Sequence, residues 1–215
     1  MDRRIALKNL GLSLGYVIAT PTLISLVQSC KDQNVVAWTP SFLTKEEGTV
    51  LYKLVDIILP KTDTPSASEV NVHIFIDKFA NEIMEAEQQN FFKMAMGKFI
   101  SKALKDAGKE KIEDLESEDL EPLLAASLKT TKENEVVNYK SINSYKEAIR
   151  NGEPAELDEN ISNFAFANDL RGQTIWAYKT SEYIGEEVLA YLPVPGEYIP
   201  CGDLQELTGG RVWSI

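Results

Sequence analysis

From Thr44 onward the apolar residues recur at the spacing of an amphipathic helix, and the polar residues between them mark where each helix starts and stops. Leu51, Leu54, Val55 and Ile58 share one face. Thr44, followed by Lys45-Glu46-Glu47, reads as a helix start. It offers a threonine cap, acidic residues near the positive end of the dipole, and Glu47 at the capping-box position. The helix has to stop at Leu59-Pro60. Residues 59–67, LPKTDTPSA, have the composition of a loop. A second helix carries Val72, Phe75, Ile76, Phe79 and Ile83. A third carries Phe92, Met96, Phe99, Ile100, Ala103 and Leu104 and ends near Gly108. A fourth opens with Ser117-Glu118-Asp119 and carries Leu120, Leu123, Leu124 and Leu128. Residues 129–160 are polar and predict one short helix, around 145–149. A further helix covers about 161–179, with Phe164, Leu170 and Trp176; residues 181–191 either continue it or form a separate short one. No run alternates with the period of a strand. The pattern predicts an all-α fold: a single helical domain over residues 44–190, with the apolar stripes as its core.

Residues 191–215, YLPVPGEYIPCGDLQELTGGRVWSI, break this pattern. Three prolines remove backbone donors and four glycines disfavour regular elements, so a long irregular Pro/Gly-rich C-terminal arm is expected. Yet Tyr191, Tyr198, Ile199, Val212, Trp213 and Ile215 are apolar or aromatic, and a disordered tail is usually poorer in these. Such an arm packs on something, either its own helices or another protein.

The other end carries an address. Residues 1–9 are basic, and residues 10–27, LGLSLGYVIATPTLISLV, hold no charge. A basic region, an apolar region and a small-residue site make an export signal over residues 1–29. The apolar run is long for a signal and barely long enough to span a bilayer, and Pro21, Ser13, Thr20, Thr22 and Ser25 weaken it as a permanent span. An uncleaved N-terminal anchor is the alternative; with it, too, the body lies outside the cytoplasm. Asp2-Arg3-Arg4-Ile5-Ala6-Leu7-Lys8 resembles the twin-arginine export motif through Arg3, Arg4, Leu7 and Lys8, whereas Asp2 and Ala6 depart from it. Leu26-Val27-Gln28-Ser29-Cys30 resembles a lipobox, with Gln28 an atypical occupant. Its cysteine would carry a diacylglycerol and tie the chain to a membrane surface. The expected location is the periplasm, with residues 30–43 as a tether between lipid and domain. Net charge changes the picture further. The 215 residues sum to −11, although the first 29 hold three basic residues against Asp2 alone. So acidic a body argues against nucleic acid, whose phosphates need Lys and Arg, and against a polybasic membrane-surface module. It suits a basic partner.

Chemistry is sparse. His73, the one histidine, lies in a helical stretch, where a packed or solvated role is the ordinary one. A single histidine excludes the paired Glu-x-x-His signature of di-iron bundles. No zinc-type Cys/His cluster, no glycine-rich turn after a strand and no G-x-S-x-G elbow is present. Glu46-Glu47 and Glu186-Glu187 read as solvated helix residues. If Cys30 is lipidated, Cys201 is left alone, and in an oxidising compartment it is either buried or paired with another chain. Twin-arginine export carries proteins already folded, usually around a cofactor. A signal of that kind on a chain with no visible cofactor site points to a cofactor held by a partner.

Two blocks then carry a resemblance. LYKLVDIILPKTDTPSASEVNVHIFIDKF, residues 51–79, resembles the opening of gluconate 2-dehydrogenase subunit 3 proteins. The fit runs through Ile58, Pro60, Thr62, Asp63, Pro65 and Ala67, then Phe75, Ile76 and Asp77; Ser66 stands where that family often has Gly. Residues 176–213, with YLPVPGEYIPCGD, resemble the family's closing segment. The resemblance implies a non-catalytic subunit beside a large flavoprotein dehydrogenase of the glucose-methanol-choline (GMC) type. FAD is then expected in the partner, with no cofactor or metal in this chain, and electrons pass on to a cytochrome c or a quinone. It also implies a role in the folding and twin-arginine export of the large subunit. Interface anchors are expected to be buried aromatics, which selects Tyr198 and Trp213. Pro60, Asp63 and Pro65 in the loop, and Cys201, are further contact candidates. Two rival readings stand beside this one: a stand-alone surface lipoprotein binding a small ligand, and an enzyme using carboxylates.

Overall fold

The computed structural model describes residues 38–194, 196 and 201–214. The chain divides into two units, 1–39 and 40–215, and the described helices belong to the second. In order these are α1 (Lys45–Ile58), α2 (Val72–Glu82), α3 (Ala86–Ala107), a 3-10 turn (Ile112–Asp114), α4 (Ser117–Leu128), α5 (Lys132–Arg150), α6 (Glu159–Lys179), a π-type turn (Ile184–Val188) and α7 (Leu204–Thr208). Among the described residues there is no strand, only an isolated parallel bridge between Ala190 and Trp213. The fold is all-α.

Helix α1 starts as its sequence requires. Thr44 Oγ1 accepts from Glu47 N at 3.2 Å and Glu47 Oε2 accepts from Thr44 N at 2.9 Å, which satisfies two donors that the helix itself cannot pair. Leu51, Leu54 and Val55 are fully buried, together with Ile76 of α2, Met96 and Phe99 of α3, Leu120 of α4 and Phe166 and Leu170 of α6. Helix α6 is the centre of the domain and packs against α1 to α5. It buries Ser162 to Ala167 without a break, then Leu170, Thr174 and Ala177, so its sequence carries little amphipathic contrast. Phe166 meets Phe92 and Phe99 of α3 with ring centroids 5.7 and 5.1 Å apart. A smaller cluster of Ile142, Leu157, Phe164 and Ala165 lies under α5.

Two sequence expectations change. In place of a short helix around 145–149 there is a helix of 19 residues, Lys132–Arg150. Its periodicity is faint because Ile142 is its one buried residue, while Val136 and Val137 face water. The helix is held by a Thr131 cap and by aromatic contacts, Tyr139 on Phe164 at 5.7 Å and Tyr145 on Phe91 at 6.1 Å. A bidentate pair from Arg150 to Glu87 ties its end to α3. The C-terminal segment, expected to be irregular, contains a helical turn capped by Asp203 and ended at Gly209, whose φ of 64° is the left-handed conformation glycine adopts without cost.

Candidate functional site

The loop between α1 and α2 is a built structure. It begins where Pro60 stops α1. Ala67 N donates back to Leu59 O at 3.0 Å, closing the loop. Ser68 donates from both its backbone N and its hydroxyl to the Asp56 carboxylate, at 2.7 and 2.6 Å. Ser66, Ala67 and Ser68 are buried beneath it. Tyr178 of α6 donates its hydroxyl to Pro65 O at 2.8 Å and meets Thr64 Oγ1 at 3.0 Å. Lys61 pairs with Glu69, and this bond, ahead of that from Ser66 N, holds the Glu69 carboxyl below its ordinary pKa. Among the described non-glycine residues only Asn71 has a positive φ, 62°, so the turn at Ser66 does not call for glycine. Pro60, Asp63 and Pro65 therefore sit on a rigid loop. Asp63 and Pro65 also line a groove of about 550 Å³ shared with Ser181 and Tyr183.

Beside the loop the domain exposes aromatic surface. Phe75 and Phe79 of α2 meet Trp176 of α6 at 5.1 and 5.6 Å, and each other at 6.0 Å. The sequence pattern assigned Phe75, Ile83 and Trp176 to core stripes. They are instead 38%, 64% and 45% exposed. The reason is geometric: each helix buries a strip narrower than its apolar pattern, and the residues at the edges of the α2 and α6 strips meet each other at the surface. Tyr183, next in the chain after the groove-lining Ser181 and Glu182, is also more than half exposed.

Two buried acids and bases are structural. Asp77 is wholly buried, and its carboxylate accepts three backbone donors, Ser41 N at 2.6 Å, Phe42 N at 3.1 Å and Leu43 N at 2.9 Å. Residues 41–43, the end of the segment read as a tether, are thereby fastened to α2. His73 is buried with its ring edge-on to Tyr52 at 5.1 Å, and burial lowers its pKa to about 4, against an opposing effect of Asp56.

A cleft of about 660 Å³ opens between the end of α2, the start of α3, α5 and α6. Phe79, Ile83, Phe91 and Ile142 form apolar walls, and Asn143, Lys146, Asp169 and Gln173 bring polar groups. Asp169 accepts from Gln173 Nε2 at 2.7 Å, and burial of its carboxyl raises its pKa in spite of that bond and of Lys146. Among the described residues no group of three His, Cys, Asp or Glu stands ready to hold a metal, and no helix is long and apolar enough to cross a membrane. The described glycines of positive φ lie at helix ends and turns, and none opens a helix behind a strand as a dinucleotide pyrophosphate requires.

The C-terminal candidates part company. Trp213 pairs with Ala190: Ala190 N donates to Val212 O at 2.8 Å and Ser214 N to Ala190 O at 2.9 Å, while Arg211 donates to Glu187 O at 3.2 Å. Residues 211–214 thus fold back on the π-type turn, and a Cβ on Gly185 would stand 3.2 Å from Ser214 Oγ. The Trp213 side chain remains 44% exposed. Cys201 is an exposed free thiol, which removes the buried reading of that residue. Tyr198, and Arg3, Arg4, Leu7, Lys8 and Cys30 of the export signal, lie outside the described residues. Sequence reasoning missed the Phe75–Phe79–Trp176 cluster as surface; the signal available was the excess width of the α2 stripe, and it says nothing of which edge lacks cover. No curated protein and no solved structure matches the chain. The family described as gluconate 2-dehydrogenase subunit 3 matches residues 45–196, from the start of α1 through the π-type turn and beyond, and the chain belongs to that family.

Proposed function

We propose that this chain is the non-catalytic accessory subunit of an exported, flavin-dependent sugar or sugar-acid dehydrogenase of the GMC type. The family description supports a subunit of a dehydrogenase complex. The observation that carries the reading further is the exposed Phe75–Phe79–Trp176 cluster beside the rigid 59–71 loop, since partly exposed aromatics on a fixed scaffold are the usual anchors of an interface. In this reading the large subunit holds FAD and oxidises the substrate, and a cytochrome c or quinone takes the electrons. The small subunit supports folding of the large one and carries it through the twin-arginine route on Arg3 and Arg4. A lipid on Cys30 then holds the pair at the periplasmic face of a membrane.

Purification from native cells in mild detergent tests this. The expected product is a yellow complex with a flavin absorption spectrum, in which mass identification finds a GMC-type flavoprotein. A colourless, solitary chain overturns the proposal. Trp176→Ala, and separately truncation after Tyr191, should each reduce recovery of the large subunit several-fold. Intact mass of the mature chain reports the lipid, and a free thiol at Cys30 excludes it.

A further inference from the structure

The cleft between α2–α3 and α5–α6 holds a carboxylate that no ion pair among the described residues engages. Asp169 has no cation within 4.0 Å among the described residues. Its hydrogen bond is to Gln173 Nε2, and the neighbouring Gln173 Oε1 is buried without a partner. The corner is therefore short of donors. The nearby cations are engaged elsewhere. Lys146 lines the same cleft and acts on Asp169 from a distance, but it makes no ion pair with it. It rests on the Phe91 ring, 4.3 Å from its centroid, and Arg171 donates to Asn168 Oδ1 at 2.7 Å. The carboxyl is partly desolvated by the cleft it lines, but the Asp169 residue as a whole is exposed, so a partner's cation can reach it.

The walls select the kind of cation. Phe79 and Tyr139 present aromatic surface, and Asn143 supplies an amide group, while the Asn168 amide is held between Tyr139 and Arg171. Several acceptors near one another, the Asp169 carboxylate and the amide oxygens of Gln173 and Asn143, beside an aromatic face suit the planar donor fork of a guanidinium better than a compact ammonium. Phe79 also stacks with Phe75 and Trp176, so one half-buried ring joins the wall of the cleft to the exposed cluster. An occupant that fills the cleft and covers the cluster is larger than a free amine. The chain's net charge of −11 draws a basic surface toward it. We propose that the cleft is a socket for an arginine side chain of the dehydrogenase's large subunit, with its guanidinium against Asp169, its stem along Phe79 and Ile83, and the residues flanking it on Phe75 and Trp176. This rests on the accessory-subunit reading.

The test compares full-length chains carrying Asp169 and Asp169→Asn, each co-expressed with the large subunit. Asn keeps the shape and removes the charge. The expected result is a complex weakened roughly tenfold or more, with the circular dichroism spectrum of the chain unchanged and its Tm unchanged or higher. An equal affinity for both overturns the socket while leaving the accessory reading intact. In parallel, the isolated full-length chain is titrated with N-acetyl-arginine amide and with N-acetyl-citrulline amide, its uncharged isostere, following the Gln173 side-chain amide and the Trp176 indole by NMR. Shifts with the arginine probe alone, lost in Asp169→Asn, support a guanidinium site at Asp169; if no complex forms in the co-expression, the large subunit as its source is overturned together with the accessory reading. Equal response to both probes, or none, overturns it. Agmatine bound more tightly than the arginine probe also overturns it, since the cleft then serves a free cation.

Discussion

At the scale of residues, Asp77 and His73 do opposite things one turn apart. Asp77 is a buried anion stabilised by three N–H groups of an incoming strand of chain. Asp77→Ala leaves those donors to find water at the edge of the core, and should cost about 2–4 kcal/mol in urea unfolding. Hydrogen exchange at the amides of 41–43 should rise in step. His73 is buried neutral, with its pKa lowered to about 4, chiefly by burial, below the 6.5 of an exposed imidazole. Between those values the unfolded chain takes a proton that the folded chain refuses. Stability is therefore full above pH 6.5, falls as the pH drops from 6.5 to 4, and loses no more on this account below that. The full loss should be roughly 3 kcal/mol, with its upper part visible between pH 6.5 and 5, where few carboxylates titrate. His73→Phe should flatten that window in a pH series of urea midpoints; an unchanged slope would mean His73 is protonated in the fold.

At the scale of elements, the loop between α1 and α2 shows how a family motif becomes a surface. Pro60 ends one helix, Asp56 grips Ser68, and Tyr178 reaches across from α6 to hold Thr64 and Pro65. Tyr178→Phe removes both hydroxyl bonds and should cost about 1–2 kcal/mol. Its sharper sign is local: protease cleavage and amide exchange within 61–66 should increase while the helices keep their protection. Parts of this were legible in the sequence. The α1 cap, the stop at Pro60 and the loop residues are local chemistry, and each was readable from its own few residues. Helix α5 was not, because its one buried side chain leaves no stripe to count, and its support comes from Phe91, Phe164 and Glu87 on other helices.

At the scale of the whole molecule, a net charge of −11 acts on association more than on folding. Complex formation with a basic partner should slow about tenfold between low and high salt, with the dissociation rate much less affected. Stopped-flow mixing of the two subunits over a salt series measures this; a salt-independent association rate would assign recognition to the aromatic cluster alone. The fold-back of residues 211–214 belongs to this scale too. It ties the end of the chain to Glu187 and Ala190 through backbone bonds and leaves the Trp213 ring half outside, placed to meet a second surface.

The all-α class, most of the helices and the family blocks were determined by the sequence itself. Periodicity, caps and prolines act over a few residues, and a motif is read in one dimension. What the tertiary structure alone decided is which apolar residues remain outside. Phe75, Ile83 and Trp176 look the same in sequence as Phe99 or Leu170. They face water because, among the described residues, no helix covers the outer side of α2 and α6 where they lie. The same holds for Asp169, an unremarkable helix residue until α5 and α6 place it on the wall of a cleft. Burial is a property of neighbours distant in the chain, and only their packing reveals it.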